Sequence, residues 1–255
     1  MFTHIVPKFE KGRILKTGML ENLRDYPRSF LDIRYQDYSD GIIAGTNVSV
    51  REDVLCISPG IIKYAGRLYL MEEEQEVPYA ATGREMVLKV RFEEGQSSAD
   101  FDRHAGTVVL EENQHGDIEQ ELARFKLKEG AVLRSGYIDF ADLSTEYNTL
   151  NFIRALHAGC GGGTLSPIIL KLFARELIGK GSRDPLDLSF ALLCLNEEKI
   201  ELEAILHYLA ARSGSSLPDD DPVKLHQALV RVLEEQGGHR SYGAARNGPQ
   251  RMLVD

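Results

Sequence analysis

Residues 40–77, DGIIAGTNVSVREDVLCISPGIIKYAGRLYLMEEEQEV, decide the fold class. Ile42 and Ile43 run into Gly45 and Asn47, and then Val48 and Val50 alternate with Ser49 and Arg51. Arg51-Glu52-Asp53 breaks the pattern, and Val54–Ile57 resumes it. In Ser58-Pro59-Gly60, Pro sets φ and Gly can take a positive φ, which predicts a type II turn. Ile61, Ile62 and Tyr64 follow, Gly66 allows another tight turn, and Leu68–Leu70 closes the run. Short apolar runs punctuated by Gly and Pro indicate antiparallel β structure. None of these residues forms a catalytic set.

Working outward, residues 1–38 form a lead-in. Ile14, Leu15, Met19, Leu20 and Leu23 lie near helical spacing, but Gly18 and Pro27 interrupt it, so a short helix is expected around Met19–Arg24. Phe30, Ile33 and Tyr35 alternate as an extended approach to the β region, which spans 39–157. Within it Glu85–Phe92 alternates, with Met86, Leu88, Val90 and Phe92 on one face. Thr107–Leu110 is a further strand. Ile118–Leu127 fits either a short helix or a strand; the Glu129-Gly130 turn into Val132–Leu133 favours a strand through Ala123–Lys128. Tyr137, Ile138 and Phe140 suggest a last strand or extended segment, and Asn148–Leu156 a short helix.

Residues 158–165 contain Gly159 and Gly161–Gly163, where the backbone has most freedom, and the domain boundary is placed there. From 166 to 236 the pattern is helical. Ser166-Pro167, Asp184-Pro185 and Asp221-Pro222 each place an N-cap before a proline at the first helical position. Glu197–Arg212 carries Ile200, Leu202, Ile205, Leu206 and Leu209. Four amphipathic helices can bury one small core as a bundle. The expected class is therefore α+β: an antiparallel meander or sandwich-like domain, then a small helical bundle domain. Residues 237–255 lack a core-forming pattern and read as a flexible arm. Tyr242, Arg246, Arg251 and Leu253 are its candidate partner-binding residues, basic and apolar anchors for an acidic neighbouring copy.

The 255-residue chain can hold more than one core; its hydrophobic content is 43% and its net charge −9. That charge opposes a polyanion, and no Lys/Arg block offsets it, so nucleic acid is not expected as a partner. Cys56, Cys160 and Cys194 lie too far apart in sequence for a disulfide framework or a Cys-rich zinc site. No apolar run reaches the ~18 residues of a membrane span, so no insertion is expected. The first residues lack a signal-peptide pattern, which suggests synthesis in the cytoplasm with reduced cysteines.

Candidate chemistry is sparse. His157 lies three residues before Cys160, the arrangement of a base near an accessible thiol, but no Asn or Asp is placed to orient the His. The glycines at 159–163 lack the Lys-Ser/Thr of a phosphate loop, and so does Gly179-Lys180-Gly181-Ser182. His104, His115, Asp100, Asp102 and Asp117 could ligate a metal, yet dispersed groups in a polar loop are ordinarily solvated. The acidic run Glu72–Glu76 reads as a solvated turn. Cys56 and Cys194 read as small core residues. No cofactor and no metal are expected.

Tyr38-Ser39-Asp40-Gly41-Ile42-Ile43-Ala44-Gly45, then Ile57-Ser58-Pro59-Gly60 and Gly66-Arg67-Leu68-Tyr69, resemble tail-fibre and baseplate proteins of tailed phages and phage-tail-like contractile particles. There a D-G-I-x-x-G turn precedes a proline–glycine hairpin, and Glu121–Leu127 is similar to an L-A-R strand. The likeness covers Asp37 to Leu143 and does not extend to the helical part, 166–236. The resemblance implies a non-enzymatic structural component connecting baseplate to tail fibre, ending in a virion or tail-like particle. Its partners would be other tail or baseplate subunits, the fibre protein and further copies of itself. The alternative is a small thiol-dependent hydrolase centred on His157 and Cys160.

Overall fold

The structure, a computed structural model, describes residues 1–113, 119–214, 216 and 219–238. After an N-terminal helix α1 (Thr17–Tyr35) come eleven strands: β1 (Gly41–Gly45), β2 (Val48–Arg51), β3 (Val54–Ile57), β4 (Gly60–Tyr64), β5 (Arg67–Met71), β6 (Gln75–Pro78), β7 (Glu85–Phe92), β8 (Gln96–Ser97), β9 (Asp102–Arg103), β10 (Gly106–Glu112) and β11 (Glu119–Lys126). Among the described residues four α-helices follow: α2 (Pro167–Gly179), α3 (Pro185–Asn196), α4 (Leu202–Ser213) and α5 (Pro222–Gly238). The chain is thus α+β, with strands first and a helical bundle after them.

All strand pairings among the described residues are antiparallel, in three three-stranded sheets ordered β1-β4-β5, β2-β3-β6 and β10-β7-β11, plus the hairpin β8-β9. β7 is central in its sheet, and Leu88, Val90 and Phe92 point into the core as their alternation requires. Phe92 stacks on Tyr64 at 4.1 Å and tilts against Tyr69 at 4.8 Å, joining the β7 sheet to the β1-β4-β5 sheet. Lys89, on the other face of β7, is buried but donates to Glu119 at 2.5 Å. The expected strand through Ala123–Lys128 forms over Ala123–Lys126, the end of β11.

Several local expectations are corrected. Ser58-Pro59-Gly60 is not a type II hairpin turn. β3 and β4 belong to different sheets, and Gly60 does not take a positive φ. A β-carbon on Gly60 would stand 2.5 Å from the Thr46 nitrogen and 2.6 Å from the Ala44 oxygen, so glycine is needed for two backbones to pass. The true tight turn is Ala65-Gly66, both left-handed at φ 49° and 72°, the two-residue geometry that matches strand twist. Asn148–Leu156 is not a helix. Asn148 takes φ 58°, and Asn151 pairs with Arg124 through two backbone hydrogen bonds of 2.7 and 2.8 Å, so the segment runs along the free edge of β11. Tyr137–Phe140 forms no strand either. Asp142 accepts from the Ile138 amide and from Arg134, folding the chain into a 3-10 turn at Ala141–Ser144. Finally, α1 runs through Pro27 for 19 residues instead of stopping near Arg24.

The helical part follows the capping logic. The side chains of Ser166, Asp184 and Asp221 accept from Ile168, Leu186 and Val223 amides, two residues on in each case. Gly214 ends α4 at φ 65°. α4 starts at Leu202 because Glu197–Glu201 is extended and its groups are engaged elsewhere: the Thr164 hydroxyl donates to the Ile200 carbonyl at 2.6 Å. The bundle core stacks Phe190 on Tyr208 at 4.0 Å with Phe173 edge-on to both. Fully buried Asp187 accepts from Ser182, Tyr208, Arg212 and Gln236, tying α3 to α4 and α5. Phe140, Leu143 and Ile153, which precede the glycines, pack into this helical core, and Phe152 touches both cores.

A contrast between two glycines tests the crossing. Gly60→Ala should lower stability by about 2–3 kcal/mol through backbone collision. Gly66→Asn, at an open left-handed position, should cost a few tenths of a kcal/mol. Urea titrations of both variants measure the difference, and equal costs would contradict the crossing.

Candidate interaction surface

The His157–Cys160 stretch is a structural joint. The Ile42 amide donates to the Leu156 carbonyl at 3.0 Å, and the Ala158 amide returns a bond to Ile42 at 2.9 Å. His157 and Thr164 exchange backbone bonds of 3.0 and 2.8 Å, closing the glycine turn. The Ser39 amide donates to Gly159, the Cys160 amide to the Glu201 carboxylate at 2.7 Å, and Lys199 to the Ala158 carbonyl at 2.9 Å. Lys199 also sits 3.5 Å from the centre of the Tyr38 ring. Among the described residues no hydrogen bond joins the His157 and Cys160 side chains. His157 is half-buried, and burial together with the Lys199 charge lowers its pKa to about 4. Cys160 is exposed.

The remaining candidates separate in the same way. The Ser166 cap satisfies the start of α2, where a phosphate would otherwise compete. Exposed His104 packs its ring over Gly95, and Asp102 accepts from Ser97 at 2.6 Å; His115 and Asp117 lie outside the described residues. The Cys56 thiol lies near the carboxylates of Glu74 and Glu76, but Arg51 already pairs with both at 3.3 and 3.2 Å. Cys56 and Cys194 are buried, and burial pushes the Cys194 thiol up to about 12. Tyr242, Arg246, Arg251 and Leu253 lie outside the described residues.

The surface holds the informative feature, which motif reading missed. Twelve of the twenty-two exposed large hydrophobics among the described residues fall within 1–35, among them Phe2, Phe9, Leu20, Leu23, Phe30 and Ile33. α1 buries no residue at all. A helix containing Gly18 and Pro27 has little intrinsic stability, since each is a poor helix former and proline removes a donor. Most helical stability comes from packing an apolar face, and α1 leaves that face to solvent. Only its C-terminal end is anchored. Buried Lys63 donates to the carbonyls of Tyr35, Gln36 and Tyr38 at 2.6, 3.1 and 2.6 Å, capping α1 with a cation at its negative pole. The i, i+3 and i+10 spacing of Leu20, Leu23 and Phe30 carried this signal, but Pro27 masked it. Charge is divided too. Residues 1–35 hold seven Lys and Arg against four Asp and Glu, a net +3, so the other 220 residues carry −12 of the total −9. Four more of the exposed hydrophobics are leucines of α3.

No family model matches the sequence, and no curated protein does. A solved structure titled "Crystal structure of TssK" is similar with a TM-score of 0.41 at 13% identity, covering 91% of this chain and 72% of that one. A likeness of this size carries no argument about function. No helix among the described residues is long and apolar enough to cross a membrane.

The lowered His157 pKa gives a pH test of the joint. The unfolded chain takes up that proton near pH 6.5, the folded chain only near 4. Between those values the unfolded state binds more protons, so this contribution is fully present above about 6.5 and is lost as pH falls toward 4. It amounts to at most about 3 kcal/mol. Urea stability of the natural chain should fall more steeply from pH 6.5 to 4.5 than that of His157→Gln. Parallel profiles would contradict a desolvated His157.

Proposed function

We propose that this chain is a non-enzymatic structural component of a phage tail or contractile tail-like particle, connecting baseplate to tail fibre and working as an oligomer. The observation that supports this reading best is the arm of residues 1–35, apolar and basic on an acidic protein, whose helix buries none of its residues. Such a segment gains its burial in an assembly. The turn motifs at Tyr38–Gly45 and Gly66–Tyr69 agree with the reading, and in the structure they form β1 and the tight β4–β5 turn. The units 39–157 and 166–236, linked through 158–165, would present separate contact surfaces. The second arm, 237–255, would dock on an acidic neighbouring copy through Tyr242, Arg246, Arg251 and Leu253. The protein would be made in the bacterial cytoplasm and end in the particle. The hydrolase reading loses its support because His157 is engaged in the joint and does not meet Cys160.

Expression beside its neighbouring reading frames tests the proposal. The chain should co-sediment with assembled particles, and removal of residues 1–35 should abolish incorporation while the β and helical cores still unfold cooperatively. Normal incorporation of that truncated chain would refute the arm's role. Removal of 239–255 should leave thermal unfolding unchanged and reduce incorporation; full incorporation would refute docking by the second arm.

A further inference from the structure

We propose that the groove along the free edges of β5 and β10 takes an extended acidic segment of a partner protein as an added strand. β5 and β10 are the outermost strands of two different three-stranded sheets. Residues 68–71 of β5 and residues 106–108 of β10 line the groove in unbroken succession. Successive strand residues point to opposite faces, so a groove touched by all of them runs along the strand edges and not over one sheet face. Its volume of about 1430 Å³ exceeds the ~300–1,000 Å³ of pockets for small ligands. The backbone supplies the recognition. Tyr64 and Arg67 close the two-residue Ala65-Gly66 turn as a hydrogen-bonded pair, and bonded and non-bonded pairs alternate from there. Leu68 and Leu70 fall at non-bonded positions, so their N–H and C=O groups point away from β4. On β10 the Ala105 carbonyl accepts from the Glu93 amide at 2.9 Å, and the same alternation turns the groups of Gly106 and Val108 away from β7. Among the described residues no hydrogen bond engages these outward groups. Protein edges are ordinarily blocked by lysine, proline or a bulge. β5 and residues 106–110 hold neither residue and keep an unbroken register, so both edges stay open to pairing.

Charge on the groove itself selects the occupant. Lys63 is taken up by three carbonyls, Arg28 pairs with Asp32 at 4.0 Å, and Asp102 accepts from Ser97. Arg67 and Arg103, both exposed at the groove, enter no ion pair among the described residues. They make a positive rim on a chain of net charge −9. Residues 237–255 hold three Arg against one Asp, and residues 1–35 are net +3, so this rim repels both arms of a second copy. The acidic run 72–76 of a second copy is already engaged by Arg51 and by the β3–β6 ladder. The occupant is therefore a segment of a different protein in which apolar residues alternate with Asp or Glu. Its backbone meets the free edge, its apolar side chains meet Val90 and Leu122 on one side or exposed Leu70 on the other, and its carboxylates meet Arg67 and Arg103. Strand addition needs no particle, so the site stands independently of the assembly reading above.

Selection of displayed random peptides of about ten residues against the full chain tests it. Enriched peptides should alternate apolar residues with Asp or Glu. The best of them, synthesised with a fluorescent label, should bind in an anisotropy titration and protect the Leu68 and Leu70 amides from hydrogen exchange more than those of Tyr69 and Met71. Leu70→Pro removes an outward N–H without removing a β4 bond, and should weaken binding at least about tenfold. Leu70→Ala keeps that N–H and should bind within about threefold of the natural chain. Should the proline unfold the hairpin, the same peptide N-methylated at alternate backbone nitrogens carries the test: one of the two methylation registers should lose at least about tenfold. Arg67→Glu with Arg103→Glu should reverse the preference for the acidic peptide over its lysine counterpart. Enrichment of no peptide or only of basic ones overturns the site, and so does binding that neither folded Leu70→Pro nor N-methylation weakens. An oligomer of the natural chain that Leu70→Pro dissociates in sedimentation puts a second copy in the groove and overturns the foreign occupant. Each of these results leaves the assembly reading to its own test of particle incorporation.

Discussion

His157 and the residues beside it are hydrogen-bonded through the backbone on two sides, to Ile42 of the first strand and to Thr164 at the entry to the bundle. Both cores hang on this pairing. Buried backbone groups must be satisfied, and here each core satisfies those of the other. Glycine makes the approach possible: a β-carbon on Gly41 would stand 2.9 Å from the Ala158 nitrogen, and one on Gly159 2.6 Å from the Gly162 oxygen. The glycines of 159–163 thus serve close packing as well as conformational freedom. Their neighbours complete the joint with charge, through Lys199 on the Ala158 carbonyl and over the Tyr38 ring, and Glu201 on the Cys160 amide. An imidazole placed for packing, desolvated and next to a cation, is a poor proton acceptor at neutral pH. The same geometry that holds the cores together keeps the His157 imidazole uncharged at neutral pH.

The legible parts of this fold are those in which local physics and tertiary demand coincide. Ser166-Pro167, Asp184-Pro185 and Asp221-Pro222 mark helix starts because a side-chain acceptor and a fixed φ act within one turn, independently of what the helix packs on. The alternation in β7 reads directly because one face is core. Where tertiary context overrides, reading fails. Ser58-Pro59-Gly60 has the composition of a reverse turn, but the glycine answers to Thr46, fourteen positions earlier, and no local signal carries that. Asn148–Leu156 has helical spacing of Leu150 and Ile153, yet the free edge of β11 offers backbone partners that an isolated helical turn would forgo. The candidate site was less legible still. Motif reading sought reactive groups, whereas the informative property of 1–35 is an apolar face without a cover, and exposure is visible only once the fold is built.

α1 and α3 fail the same rule in opposite ways. α1 has an apolar stripe and no core beneath it; α3 has its core and a second apolar face outside it. Each leaves apolar surface in water, at a cost of about 25 cal/mol for every Å². Lys63 fixes the outward path of α1 by holding its last carbonyls, so the exposure of the arm is part of the fold and not a loose end. An acidic protein whose copies repel on average needs a local reversal of charge to associate, and the same 35 residues that carry most of the exposed apolar side chains also carry the positive excess. Exposed apolar surface and positive excess therefore lie in the same 35 residues.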